Sequence, residues 1–277
     1  MFAMVLGAAL LHAIWNTILQ VNGDRLVVMA VITLSQSVIA LCVLPFVDFP
    51  TAAAWPYIGL SLVLHIGYYV FLVMAYRYGD LSLVYPIARG SAPLIIAAAS
   101  VVFAGEVLGH QATLAITLIA VGIMSLAFTR KTSGFGEPKA IILAFGTGVF
   151  IAAYTITDGM GARTTSDAHS YFFWLIAVDG LPITLLALLV HKGRAIGQAR
   201  KIWKVALFAG VVSLIAYWTV VWAMTMAPIA LVSAVRETSM LFAVLFGVIY
   251  LHEPLDIRRI VACMVTLAGA ILIKTAK

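Results

Sequence analysis

Ile229-Ala-Leu-Val-Ser-Ala-Val-Arg-Glu-Thr-Ser-Met240 opens an apolar run that reaches Leu251 and ends at His252-Glu253-Pro254. An earlier stretch, Leu83-Val-Tyr-Pro-Ile-Ala-Arg-Gly-Ser-Ala-Pro93, opens a similar run that ends at Gly105-Glu106. Arg89 precedes Glu106 by seventeen residues, and Arg236 precedes Glu253 by seventeen. Gly122 follows Glu106 by sixteen residues, and Gly269 follows Glu253 by sixteen. Each copy thus places one Arg inside a hydrophobic segment, one Glu at its end and one Gly in the next segment. A fixed offset of this kind is an internal repeat.

The composition says which solvent the repeat faces. Apolar residues make up 64% of the chain and charged residues 10%, and the mean hydropathy is +1.10. Soluble domains average about 45–50% apolar and about 25% charged residues. The chain therefore reads as a polytopic membrane protein. Its net charge of +6 is no sign of nucleic-acid binding, because the basic residues fall in the gaps between apolar runs. Cys42 and Cys263 lie inside apolar runs and read as small buried hydrophobes rather than a disulfide. The first span begins at once, with no charged n-region, so no cleaved signal peptide is expected.

A helix needs about 20 apolar residues to cross a bilayer. Ten spans are expected, near 2–21, 27–47, 54–76, 82–104, 110–128, 138–158, 170–190, 203–226, 229–251 and 257–274. Strict alternation over about ten residues, the mark of a barrel strand, is absent from the sequence. The repeat also joins span 1 to span 6, since Gly7…Ala13-Ile-Trp15-Asn16 matches Gly146…Ala152-Ala-Tyr154-Thr155 at a single offset. The expected fold is all-α, with ten transmembrane helices as two five-helix repeats, residues 1–129 and 130–277. Five is odd, so the second repeat enters the membrane in the opposite sense. Secondary transporters use such inverted repeats to build two alternating states.

Lys and Arg concentrate in cytoplasmic loops. Here the odd-numbered loops hold Arg25, Arg77, Arg130, Lys131, Lys139, Lys192, Arg194, Arg200, Lys201, Lys204, Arg258 and Arg259. The even-numbered loops hold Arg163, and the C-terminus adds Lys274 and Lys277. The rule puts the odd loops in the cytoplasm and both termini outside.

Taken together, the five-plus-five layout, Gly105-Glu106 with Gly122, His252-Glu253-Pro254 with Gly269, and Leu11-His-Ala-Ile-Trp-Asn16 resemble the EamA-like permeases of the drug/metabolite transporter superfamily. The resemblance covers essentially the whole chain. It implies a multi-pass permease of a bacterial inner membrane, with a central cavity lined by spans 1, 3, 4, 6, 8 and 9. Members of the family are usually drawn with both termini in the cytoplasm, the reverse of the charge count.

Ionisable groups inside a span cost about 2.5–3.5 kcal/mol each on insertion scales, so they usually face a cavity or one another. Arg89 and Arg236 lie within about 7 Å of their segment centres, at about 1.5 Å per residue. Inverted repeats would set them on opposite sides of the midplane. Each reads either as a cavity residue or as a tie between helices, Arg236 with Glu237 in particular. Pro86 and Pro93 bracket Arg89 and remove two helical donors, which predicts irregular backbone in span 4. His12, Trp15 and Asn16 share one face of span 1, as His65, Tyr68 and Tyr69 do on span 3. Tyr154 and Asp158 share a face of span 6, and Trp218 and Trp222 a face of span 8. Aromatic stripes are more often packing than site. A His, Asn or Asp on the same stripe favours lining for the first three, whereas Trp218 and Trp222 stand open between the two readings. Tyr85 shares the face of Arg89, and Ser233 that of Arg236. Asp179, beside Gly180 and Pro182, reads as an interhelical contact, and Glu106 and Glu253 read as structural helix-end groups.

Guanidinium forks suit carboxylate or phosphate oxygens. A secondary transporter for a small anionic or zwitterionic metabolite is therefore expected: an amino acid, an organic acid or a phosphonate. A second possibility is an exporter of amphipathic drug-like compounds selected by aromatic surface. A non-transport structural or sensory protein is a third. Enzyme signatures such as His-Glu-x-x-His and Gly-x-Ser-x-Gly are absent from the sequence, as are metal-ligand spacings, so neither catalysis nor a metal or other cofactor is expected. A buried carboxylate or imidazole can titrate near neutrality. Proton coupling through Glu237 or a histidine and uncoupled flux both stand, as do a monomer and a homodimer.

Overall fold

A computed structural model describes residues 1–21, 24–128, 137–191, 194–251 and 256–275. The described residues form eleven α-helices and no strand. These are α1 (Phe2–Val21), α2 (Arg25–Val43), α3 (Trp55–Tyr78), α4 (Leu81–Phe103), α5 (His110–Ser125), α6 (Pro138–Arg163), α7 (Ala168–His191), α8 (Arg194–Met224), α9 (Ile229–Glu237), α10 (Ser239–Leu251) and α11 (Ile257–Thr275). Among the described residues, nine helical stretches are long and apolar enough to cross a membrane, α9 and α10 together making the ninth. The tenth expected span is α11, whose ends carry Arg258, Arg259 and Lys274.

Two boundaries differ from the sequence expectation. α8 begins at Arg194 rather than near 203 and is 31 residues long. Such a helix is about 46 Å long, against about 30 Å of hydrocarbon. Arg194, Arg200, Lys201 and Lys204 are good helix formers, so their stretch of helix carries on past the apolar core. α6 likewise runs on to Arg163.

The expected irregularity of span 4 is also corrected. α4 is one helix from Leu81 to Phe103 with both prolines inside it. The break falls in span 9, at Thr238, directly after Arg236 and Glu237. There the Thr238 hydroxyl donates to Val235 O at 2.6 Å, and its N–H approaches the same carbonyl at 3.1 Å. A hydroxyl that bonds back to the preceding turn competes with the helical ladder and tightens it.

Contacts between connections respect the parity of ten alternating spans. At the odd-loop end, Asp24 Oδ1 meets His191 Nε2 at 3.4 Å and Arg258 Nη1 donates to Phe128 O at 3.4 Å. At the even-loop end, Thr51 donates to Thr164 O and Ser170 to Asp48 O. Helix pairing maps onto itself when the halves are exchanged. α3 packs on α6 as α1 packs on α8, while α2 pairs with α7 and α5 with α11. The repeat's two glycines make the last pair possible. A Cβ on Gly122 would collide with Thr266 of α11, and one on Gly269 would lie 2.7 Å from Ala115 O of α5. Large side chains such as Leu41, Val63, Phe208 and Leu189 remain on the outer surface, where lipid takes the place of a core partner.

Candidate functional site

Three ionisable side chains from α4 and α9 converge at mid-depth. Arg89 Nε lies 2.9 Å from Glu237 Oε2, outside hydrogen-bond geometry. Arg236 donates from Nε and Nη2 to Glu237 Oε1 at 3.3 and 3.2 Å. Glu237 is fully buried and Arg236 is only 2% exposed. The two arginines therefore meet on one carboxylate instead of standing apart across the midplane, because the long Arg89 side chain reaches across to α9 while Arg236 folds onto its own neighbour. Arg89 Nη2 also lies 2.9 Å from His12 Nε2, and its guanidinium stands 5.9 Å from the Tyr85 ring centroid.

From this cluster a cavity runs toward the odd-loop end. Its deep part is walled by His12, Trp15, Asn16, Tyr69, Tyr154, Arg89 and Arg236. Its outer part passes Tyr85, Leu19 and Tyr76 to Arg25. Several lining groups are pre-set by local bonds. Trp15 Nε1 donates to His12 Nδ1 at 3.2 Å, and Asn16 Nδ2 donates to His12 O at 2.8 Å. His65 stacks on Tyr154 at 4.3 Å between centroids. The wall is broader than the family resemblance implied. Met29, Thr33 and Gln36 of α2 and Ile176 and Asp179 of α7 also line it, so spans 2 and 7 contribute beside 1, 3, 4, 6, 8 and 9.

Four expected lining residues lie elsewhere. Asp158 is fully buried, accepting a hydrogen bond from Tyr171 at 2.9 Å and another from Tyr217. It thereby anchors Tyr217, which does reach the cavity. Two hydroxyl donors satisfy the carboxylate, so its place is in the wall rather than on it. Ser233 is buried, with its Oγ unpartnered among the described residues. Trp218 and Trp222 belong to a separate recess with Met4 and His169, where Trp218 Nε1 donates to His169 Nδ1 at 2.7 Å. Trp218 follows the chamber-lining Tyr217 by one residue, about 100° round the helix, so the two tryptophans face another side of α8. Asp179, expected as an interhelical contact, stands with its Oδ1 3.7 Å from His65 Nδ1 of α3, and it also lines the chamber, which the sequence reading did not expect.

The even-loop end is clasped. Gly105 adopts φ +66°, which lets the chain turn back so that Glu106 N–H donates to Ser100 O at 3.1 Å. The Glu106 carboxylate then accepts from the N–H groups of Ile229 and Ala230, at 2.6 and 3.3 Å, at the start of α9. An anion there completes the helix terminus. Arg163 Nη2 donates to Glu106 Oε1 and to Ala227 O, each at 2.9 Å, and its Nε donates to Met224 O at 2.9 Å. One carboxylate and one guanidinium thus join the ends of α4, α6, α8 and α9, and Glu106 has the structural place expected of it. Its repeat partner Glu253, with His252 and Pro254, lies outside the described residues.

Comparison with known proteins now bears on this arrangement. A model of the EamA-like transporter family matches residues 138–275. The chain belongs to the EamA-like transporter family. That family is part of the drug/metabolite transporter superfamily, whose members are membrane transporters. A solved crystal structure of a protein is similar to the EamA-like chain at TM-score 0.75 and 16% identity, covering 98% of this chain and 94% of its own. At that identity the likeness speaks to the fold. No curated protein matches the sequence significantly.

Proposed function

We propose that this EamA-like protein is a secondary carrier that moves a small anionic or zwitterionic metabolite by alternating access. The observation that carries this reading is the convergence of Arg89 and Arg236 on the single carboxylate of Glu237, beside a chamber that Arg89 and Arg236 both line. Two guanidiniums against one carboxylate leave one formal positive charge within the trio. Removed from bulk water, that charge favours a carboxylate or phosphate that can take a fork of hydrogen bonds. Two five-helix halves of opposite sense would supply the two states, and the exchange symmetry of the helix pairing supports that mechanism. The cavity reaches the odd-loop end, which the Lys and Arg distribution assigns to the cytoplasm of a bacterial inner membrane, with both termini outside.

A second reading has its own support. Glu237 bridges α4 and α9, as a purely structural tie would, and selectivity would then come from Tyr69, Tyr85 and Tyr154 and suit amphipathic drug-like compounds. Counterflow in proteoliposomes separates the two. Arg236→Lys keeps the charge but loses the fork, and is expected to weaken uptake of the physiological anion with normal folding, while Arg236→Ala abolishes it. Unchanged apparent affinity in both Arg89→Ala and Arg236→Ala would leave the aromatic reading standing. A C-terminal fluorescent protein that matures only in the cytoplasm should stay dark in a bacterial host, and bright cells would reverse the orientation.

A further inference from the structure

Asp179 is the one carboxylate among the described residues on the chamber wall, and nothing above gives it a role. It is 6% exposed, and that exposure is to the cavity. No hydrogen bond from a described residue reaches its oxygens, and the nearest cationic partner, His65 Nδ1, stands 3.7 Å away. That nitrogen is already occupied, lying 3.0 Å from Ser61 O and 3.2 Å from Ser61 Oγ. A buried carboxylate without donors is costly, and proteins normally satisfy such a group.

The backbone around Asp179 is held in place. The Ser37 hydroxyl of α2 donates to Ile176 O at 2.7 Å and accepts from Gly180 N–H at 3.1 Å, gripping α7 on both sides of Asp179. Pro182 follows within the same turn. Its carboxylate is thus carried on a fixed segment, at the mid-depth of α7, in the same chamber as Arg89 and Arg236.

We infer that Asp179 is the ammonium-binding pole of a bipolar site, so that the chamber selects a zwitterion whose carboxylate meets Arg89 and Arg236 and whose protonated amine meets Asp179. This rests on the carrier reading above and narrows its substrate class. Gln36, Thr33 and Ser213 also line the chamber and offer neutral hydrogen-bonding groups to the rest of the ligand. The rings of Tyr69 and Tyr154 supply the apolar wall for its side chain.

Thermal-shift titration of the purified full chain in detergent tests the inference with three matched probe sets. These are the L-α-amino acids, their N-acetyl derivatives, which are anions, and their amides, which are cations. At least one free amino acid should stabilise the protein while its N-acetyl derivative and its amide do not. Asp179→Asn should weaken that amino acid by at least about tenfold, the scale of one charge-assisted hydrogen bond. Asp179→Glu should recover part of the loss, which a purely structural defect would not do. If Asp179→Asn binds the amino acid as wild type does, or loses only proton-driven accumulation in liposomes, Asp179 is no substrate pole and the inference fails. Binding of the N-acetyl anions alone, lost in Arg236→Ala, overturns the inference and leaves the anion-carrier reading intact. Stabilisation that survives in Arg236→Ala overturns both that wider reading and the inference, and no stabilisation by any probe overturns the inference.

Discussion

The two ends of the bundle use arginine to opposite effect. At the even-loop end, Glu106 and Arg163 make directional, charge-assisted bonds to each other, to two N–H groups at the start of α9 and to two carbonyls between α8 and α9. At the odd-loop end, Arg25 sits 5.3 Å from the Tyr76 ring centroid, a softer contact on the cavity wall. Bonds to backbone groups fix where helix ends stand, whereas a cation over a ring tolerates displacement. The clasped end is therefore closed, whereas the cavity extends to the other end. Between them sits the Arg89–Glu237–Arg236 cluster, which under the proposed carrier reading would be the pivot between two states.

The largest effect is expected at that pivot. Glu237→Ala leaves two buried guanidiniums without a counter-charge, and removing one partner of a buried pair costs about 3–5 kcal/mol. A thermal scan of the purified variant should show a lower Tm and little folded protein. Wild-type Tm would mean that water in the cavity already solvates both arginines.

Next comes the clasp. Glu106→Gln keeps the shape and removes the charge, at a cost of about 1.5–3 kcal/mol for hydrogen bonds to a charged group. With Cys42 and Cys263 replaced, a thiol introduced as Ser213→Cys should react faster with an impermeant reagent added on the even-loop side. Equal rates in the two backgrounds would show that Glu106 does not hold that end shut.

A control away from both ends sharpens the contrast. Gly269→Val pushes side-chain atoms toward Ala115 O, and overpacking of this kind costs about 1–3 kcal/mol. Stability should fall while ligand affinity in the folded fraction stays unchanged, since α5 and α11 do not line the cavity. The smallest effect is expected for Arg25→Ala, which loses a cation–π contact of about 0.5–1 kcal/mol. It should alter uptake rate without measurable loss of Tm; a large drop would make the odd-loop end as tightly fastened as the clasped one.

How far each of these groups was legible in the sequence follows from the range of the forces that place it. Hydrophobic run length depends only on local composition and bilayer thickness, and the spans and the membrane class followed from it. The offset joining Arg89, Glu106 and Gly122 to Arg236, Glu253 and Gly269 marked the residues on which the fold turns. Gly122 and Gly269 do stand where α5 and α11 cross, and Arg89 and Arg236 do reach the chamber. Helical spacing also placed His12, Trp15 and Asn16 on one wall, because three- and four-residue neighbours share a face in any helix. It could not decide which neighbour each face would meet. Asp158 and Asp179 look alike in sequence, each an acid within an apolar helix. Only packing gives Asp158 two tyrosine donors and sets Asp179 on the chamber wall, 3.7 Å from His65. Trp218 and Trp222 had the spacing of a lining stripe, but their face of α8, turned away from that of Tyr217, opens on another recess. The convergence of two arginines on Glu237, and the grip of Glu106 on the start of α9, join segments more than a hundred residues apart. Such contacts depend on which helices lie side by side and at what depth, and those relations exist only once the whole bundle has packed.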